Sequence, residues 1–123
     1  MARWLRPTGL ALIRPNVFTG ITGGHLIEWS RRAMLHPPME RHSEPWEHLR
    51  QRRIAPNTFL NEVTRAEYRE LFGRHFEIVE ERVTRPDLGR SHLDERARQE
   101  LAGWPDDELF SNQTLFVLRP LRP

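Results

Sequence analysis

The chain has 123 residues, a length that suits one domain. Its 19 basic residues are all arginine, and 17 acidic residues leave a formal net charge of +2. Cysteine is absent, which excludes disulfides, thiolate metal sites and a cysteine nucleophile. The apolar run at residues 10–13 is too short for a signal peptide or a membrane span, so we expect a cytoplasmic protein without a membrane partner.

Charge is divided unevenly along the chain. Residues 1–60 contain 9 arginines and 4 acids, whereas residues 61–123 contain 10 arginines and 13 acids. This difference favours an anionic ligand near the first half. One interpretation is a non-catalytic, arginine-rich module that binds an acidic partner or RNA. The many acids and the lack of an RNA-binding aromatic motif speak against nucleic acid.

The first half begins with a turn and a strand. A Pro-Gly turn at residues 5–9 leads into Leu10-Ala11-Leu12-Ile13, a short apolar run typical of a strand buried on both faces. Residues 17–57 lack periodicity and are rich in glycine, proline and tryptophan. Long irregular stretches of this kind most often cover active sites or bind ligands.

Four elements are predicted in the second half. Thr64 to Glu67 is a capping box that begins an amphipathic helix ending near Gly73. Residues 76–83 alternate and predict a strand with one polar face. Residues 91–94 could cap a second helix, with Leu93, Ala97 and Leu101 on one stripe. Residues 114–118 predict a last strand that is apolar on both faces.

This order of elements resembles the C-terminal part of a class I S-adenosylmethionine-dependent methyltransferase domain of the type 11 group. The turn Leu5-Arg6-Pro7-Thr8-Gly9 is similar to the Leu-Lys-Pro-Gly-Gly-like turn before the family's fifth strand, with Thr8 replacing a glycine. Three further stretches look like members of the group: residues 22–26, 45–49 and 67–78. The resemblance covers nearly the whole chain, although each motif alone is only moderately specific.

The resemblance implies an α/β fold, namely the C-terminal part of a Rossmann-like sheet. It implies a mixed sheet of the family's strands five, six and seven with flanking helices, the seventh antiparallel and between the other two. We therefore expect one partial methyltransferase domain over residues 1–123. It comprises a turn and buried strand (1–16), a substrate-side loop (17–57) and the remaining helices and strands (58–123).

The family's cofactor site is not recognisable in the sequence. Gly23-Gly24 is the only glycine pair, and it neither follows a first strand nor opens a helix. We therefore expect the N-terminal, cofactor-binding half to be missing, so that this chain binds S-adenosylmethionine weakly and is inactive alone. The expected partners are a small-molecule acceptor in the intact enzyme and a separate N-terminal half. Self-association through residues 10–13 is the alternative to that half.

Candidate site residues follow the first strand and occupy the long loop. Asn16 could orient a polar group, or could be a simple turn residue after Pro15. His25 could act as a general base, or could be a loop histidine that only hydrogen-bonds the backbone. Trp29 and Trp46 could wall a substrate pocket, although core packing explains them equally well.

Further substrate-side candidates follow Trp46 in the chain. His48 is the first, and the cluster that ends at Arg53 could bind phosphate or carboxylate, or could form a solvated face. The histidine spacings match no metal-binding pattern, so no metal is expected.

Overall fold

A computed structural model describes residues 2–36, 39–50, 54–56 and 58–122. The strands are β1 (Ala11–Ile13), β2 (Phe76–Val83) and β3 (Thr114–Pro120). The α-helices are α1 (Arg31–Leu35), α2 (Arg65–Gly73), α3 (Glu95–Glu100) and α4 (Asp106–Leu109). Short 3-10 helices cover Ala2–Trp4, Ile27–Trp29 and Arg90–His92. Within the described ranges, no helix has the length and apolar character needed to cross a membrane.

The three strands form one sheet in the order β1-β3-β2. Both pairings are antiparallel. This confirms that the last strand is antiparallel and lies between the other two. The expected mixed sheet is not observed in the described residues, because β1 and β2 run in the same direction but each pairs only with β3.

Strand β1 is less buried than its apolar sequence predicts. Ala11 and Ile13 pack against the apolar cluster on one face of the sheet. Leu12 is 68% exposed, and Leu10, just before the strand, is 47% exposed. The prediction of burial on both faces is therefore wrong, since β1 is an edge strand whose second face has no cover among the described residues.

Helix α2 packs on the covered face of the sheet. The predicted capping box is confirmed: the Thr64 hydroxyl accepts from the backbone N–H of Glu67, and the Glu67 carboxylate accepts from that of Thr64. Tyr68 and Phe72 from α2 contact the ring of Phe116 in β3, with centroid distances of 6.4 and 5.0 Å. These aromatic contacts join the helix to the central strand.

A second apolar cluster lies beside the sheet. Leu93, Ala97 and Leu101, predicted to form one stripe of the second helix, are all buried in this cluster. Only Ala97 lies within α3, because the helix covers no more than Glu95–Glu100. The N-cap of α3 is Asp94, the last residue of the predicted capping segment, and its carboxylate accepts from the N–H of Ala97 at 2.8 Å. Ser91 instead lies in a 3-10 helix.

The first part of the long loop is irregular but buried. Residues 17–24 have no helix or strand, yet all are buried. Their backbone is held by turn hydrogen bonds and by the N–H of Val17, which donates to Asn112 O at 2.7 Å. This part of the loop therefore belongs to the core.

Helices α1 and α4 were not predicted, because both are too short to give a periodic signal in the sequence.

Candidate functional site

Asn16 lies just beyond the carboxyl end of β1, at a position that the sheet determines. Its backbone bridges Gln113 in the same register that pairs Ile13 with Phe116. Pro15, which has no N–H group to donate, lies between the bridge and the regular strand. The pairing of β1 with β3 thus places the Asn16 side chain at the end of the sheet.

The Asn16 amide is oriented by Thr22. Its Oδ1 accepts from the Thr22 hydroxyl at 2.7 Å, and its Nδ2 donates to the Thr22 carbonyl at 3.1 Å. A carbonyl oxygen only accepts, so the NH2 group must be the part of the amide that faces it. Nδ2 also lies 3.4 Å from Nε2 of His25.

This orientation selects the histidine tautomer. Because Nδ2 of Asn16 is a donor, Nε2 of His25 accepts, and the neutral ring then carries its proton on Nδ1. The lone pair of Nε2 is directed at the contact with Asn16 and, since His25 is exposed, is close to solvent. The two residues singled out in the sequence are therefore brought together.

The backbone of His25 has an unusual conformation. Its φ is 54°, in the left-handed region that a residue with a Cβ rarely adopts. The N–H of His25 donates to Thr22 O at 3.2 Å and closes the turn made by Gly23 and Gly24. Trp46 and Glu62 have the same conformation, with φ of 55° and 54°, so it is the contact with Asn16 that distinguishes His25.

Asn16 and His25 line an open cleft of about 290 Å³. The other described residues that line it are Thr22, Leu26, Ile27, Ser30, Arg31 and Gln113. Arg31 is the only arginine among the described residues that line the cleft, and none of these residues is Asp or Glu. The cleft can therefore hold a small polar ligand and favours one with negative charge.

The two candidate tryptophans occupy the second apolar cluster. Trp46 is wholly buried and meets the ring of Phe110 edge to face, with centroids 6.1 Å apart. Trp29 is 4% exposed, donates from its indole N–H to the Ser43 hydroxyl at 3.0 Å, and has the Arg41 guanidinium 4.4 Å from its ring centroid. Neither lines the cleft, so the core-packing alternative describes their positions.

His48 is also buried rather than part of the cleft. Its Nε2 lies 2.6 Å from the backbone carbonyl of Phe18, so this nitrogen carries the proton and donates. The ring also lies beneath Gly24, where an added Cβ would approach Nδ1 to 2.6 Å. His48 therefore supports the turn that carries His25. Arg53 lies outside the described residues.

The sequence did not indicate three residues of the cleft. These are Thr22, which is the partner of Asn16, and the pair formed by Arg31 and Gln113. Arg31 donates from Nη1 to Oε1 of Gln113 at 3.2 Å, across 82 positions of the chain. No local pattern links residues so far apart. The pairing of β1 with β3 places Gln113 beside Asn16, and Arg31 reaches the same place from α1.

Several arginines, both buried and exposed, are already paired with carboxylates. Arg65 and Arg69 both contact Glu81, at 2.5 and 2.7 Å, and Arg50 and Arg96 both contact Glu100. Hydrogen bonding from Arg69 is the largest effect on Glu81, and it outweighs burial to lower the pKa of that carboxyl. These pairs neutralise much of the basic charge that an arginine-rich binding module would need.

The glycines near the cleft do not form a cofactor cradle. An added Cβ would lie 2.1 Å from the Phe18 carbonyl oxygen at Gly23 and 2.6 Å from Oδ1 of Asn112 at Gly20. Both glycines therefore make room for the chain's own atoms, not for a ligand. Neither Gly20 nor Gly23 therefore leaves the space that a glycine-rich, cofactor-binding turn needs.

Neither metal-binding geometry nor similarity to known proteins assigns a function to the cleft. Among the described residues, no group of three or more His, Asp or Glu is arranged to hold a metal ion. Comparison with protein-family models, curated proteins and solved structures gives no match.

Proposed function

We propose that this chain is the C-terminal, substrate-side part of a class I S-adenosylmethionine-dependent methyltransferase domain. The observation that carries the proposal is the pair formed by Asn16 and His25, with Nδ2 and Nε2 3.4 Å apart just beyond the carboxyl end of β1. Ligands of open α/β sheets bind beyond the carboxyl ends of the strands. The pair thus lies where an acceptor substrate would bind.

In this function His25 is the general base for a small-molecule acceptor. A hydroxyl loses its proton most readily to a base whose lone pair is within hydrogen-bond reach, and the neutral ring has that lone pair on Nε2. Asn16 holds the ring through a long hydrogen bond that an incoming hydroxyl can replace. The Thr22 contacts keep the amide in place while this exchange occurs.

The arrangement of the strands supports the same proposal. A last strand that is antiparallel and inserted between two earlier strands is the order expected for strands five, seven and six of the family. The free edge of β1 is then where a fourth strand would pair. That strand and the cofactor-binding turn would come from another segment or another chain.

Calorimetry with S-adenosylmethionine tests whether this chain lacks the cofactor site. We expect the purified chain to bind S-adenosylmethionine weakly or not at all, because Gly20 and Gly23 are occupied in internal packing. An affinity in the micromolar range would contradict the proposal that the cofactor site lies elsewhere.

The genomic DNA upstream of the Met1 codon gives a second test. We expect it to encode, in frame or after a frameshift, an apolar strand followed by a Gly-x-Gly turn. Co-expressed with the chain, that segment should yield a complex that transfers a labelled methyl group from S-adenosylmethionine to small molecules of a cell extract. An upstream region without such a segment would leave only a separate chain as its source, and a complex without transfer would contradict the proposal.

His25→Gln in that complex tests the role of the base. We expect transfer to fall by about 10²- to 10⁴-fold, the usual contribution of a positioned general base. His36→Gln is the matched control, since His36 is an exposed histidine that does not line the cleft, and it should leave the rate unchanged.

A further inference from the structure

We infer that the cleft selects an acceptor that carries a carboxylate as well as a hydroxyl, and that Arg31 is the residue that recognises the carboxylate. The inference deepens the proposed function and rests on it for the transfer itself. Its carboxylate-binding part can be tested on the isolated chain.

Most N–H groups of the Arg31 guanidinium have no hydrogen-bond partner among the described residues. It makes one hydrogen bond among the described residues, from Nη1 to Oε1 of Gln113 at 3.2 Å, and its partner is a neutral amide. A guanidinium presents several N–H groups in a planar fork that matches a carboxylate. No ion pair with a described carboxylate neutralises Arg31, in contrast to Arg50, Arg65 and Arg69.

The position of Arg31 relative to the base is held by the sheet. Gln113, which binds the guanidinium, is bridged through its backbone to Asn16, which in turn contacts the His25 ring. The carbonyl of Gln113 also accepts from the backbone N–H of Thr84 at 3.0 Å and from its hydroxyl at 2.9 Å. One fixed residue thus connects the cation with the polar pair that would take the hydroxyl.

The other residues that line the cleft indicate the charge of the ligand and the character of its apolar part. No acid among the described residues lines the cleft, so a bound anion meets no repulsion from the walls. The nearby carboxylate of Glu28 is engaged elsewhere, since it accepts from the backbone N–H groups of His42 and Ser43 at 2.6 and 3.0 Å. Leu26 and Ile27 add apolar surface, which suits a small apolar or aromatic spacer between hydroxyl and carboxylate.

A matched pair of probes tests the carboxylate preference. We would titrate the ¹⁵N-labelled chain with 4-hydroxybenzoate and with its neutral analogue 4-hydroxybenzamide, and follow amide shifts by NMR. The acid should bind about tenfold more tightly, as expected for one charge-assisted pair at an exposed site. Its shifts should centre on Asn16, His25, Arg31 and Gln113.

Two arginine variants separate this site from general positive charge. Arg31→Gln should remove the preference for the acid, whereas Arg32→Gln, at a neighbouring exposed arginine that does not line the cleft, should retain it. Equal binding of the two probes, shifts elsewhere, an absence of shifts, or a preference that survives Arg31→Gln would each overturn the inference. Circular dichroism checks that both variants fold.

The methyl-transfer assay distinguishes failure of the inference from failure of the proposed function. Transfer to neutral acceptors that is unaffected by Arg31→Gln would leave the methyltransferase proposal standing and overturn the acidic acceptor. A carboxylate preference that depends on Arg31, in a complex without transfer, would support the carboxylate site and contradict the methyltransferase proposal.

Discussion

The carboxylate of Glu108 lies 2.8 Å from the hydroxyl of Thr19, and the contact joins the buried loop to helix α4. The same carboxylate accepts from the backbone N–H groups of Arg65 and Ala66 at 3.0 and 2.9 Å. These are the first two residues of α2, whose N–H groups have no partner within the helix. Glu108 therefore caps α2 from a distance, in addition to the local capping box.

Glu108→Ala should destabilise the fold by about 1–3 kcal/mol, because it leaves the N–H groups of Arg65 and Ala66 without their acceptor. The Thr19 hydroxyl keeps the backbone carbonyl of residue 108 and the Ser111 hydroxyl as partners. Chemical denaturation measures the change. Asp107→Ala, on the exposed neighbouring residue of α4, is the control and should change stability by less than about 0.5 kcal/mol. Equal effects of the two substitutions would show that Glu108 does not cap α2.

Glu81 should make stability depend on pH. Its pKa lies below the ordinary 4.5, chiefly through hydrogen bonding from Arg69 and then from Arg65, against burial. A lowered pKa means that its contribution is present above about pH 4.5 and is lost as pH falls through the folded-state pKa. Glu81→Gln should cost about 1–3 kcal/mol at neutral pH and flatten the acid limb of the stability curve.

Glu70→Gln is the matched control for Glu81→Gln, since Glu70 forms an exposed ion pair with Arg74. Exposed pairs contribute little, so this variant should retain the acid limb of the wild type. Thermal unfolding between pH 3 and 7 compares the three proteins. An acid limb that is unchanged in Glu81→Gln would contradict this assignment.

The left-handed backbone at His25 predicts a reversal of the usual order of alanine and glycine. His25→Gly should be more stable than His25→Ala by about 1 kcal/mol, because only alanine pays for the positive φ of 54°. At Arg32 in α1 the order should be the opposite, as in other helices. Denaturation of the four variants tests this, and alanine at least as stable as glycine at position 25 would exclude the left-handed conformation.

The free edge of β1 predicts association of the isolated chain. Among the described residues no strand pairs with the outer edge of β1, and the expected occupant of that edge is β1 of a second copy, paired around a twofold axis. Leu12→Lys should raise the monomer fraction in sedimentation experiments, because Leu12 is 68% exposed on the strand. Leu71→Lys is the control, at a leucine of α2 that is 47% exposed. A stable wild-type monomer at high concentration would contradict this prediction.

Local chemistry made several features of the fold readable from the sequence. Thr64 and Glu67 cap each other within one turn, so the start of α2 needs no tertiary contact. The alternation at residues 76–83 has the period of a strand, and β2 spans those residues. The apolar run at residues 114–118 likewise indicated a strand, which is observed as β3. Phe116 and Leu118 on one face of it are buried, whereas Leu115 and Val117 on the other face are half-buried.

The tertiary structure decided the features that depend on distant partners. The same apolar reasoning was wrong for Leu12, because burial of a strand depends on what covers it, and no described residue covers that face. The sequence marked Asn16 and His25 separately, and their contact depends on the hydrogen bonds by which Thr22 orients the Asn16 amide. The pairing of β1 with β3, two strands about a hundred residues apart, places Asn16 beside Gln113, which binds Arg31. Glu108 caps α2 from 42 positions away, and no local pattern carries that information. Sequence thus determined what short-range hydrogen bonding and periodicity can encode, whereas the composition of the cleft followed from long-range packing.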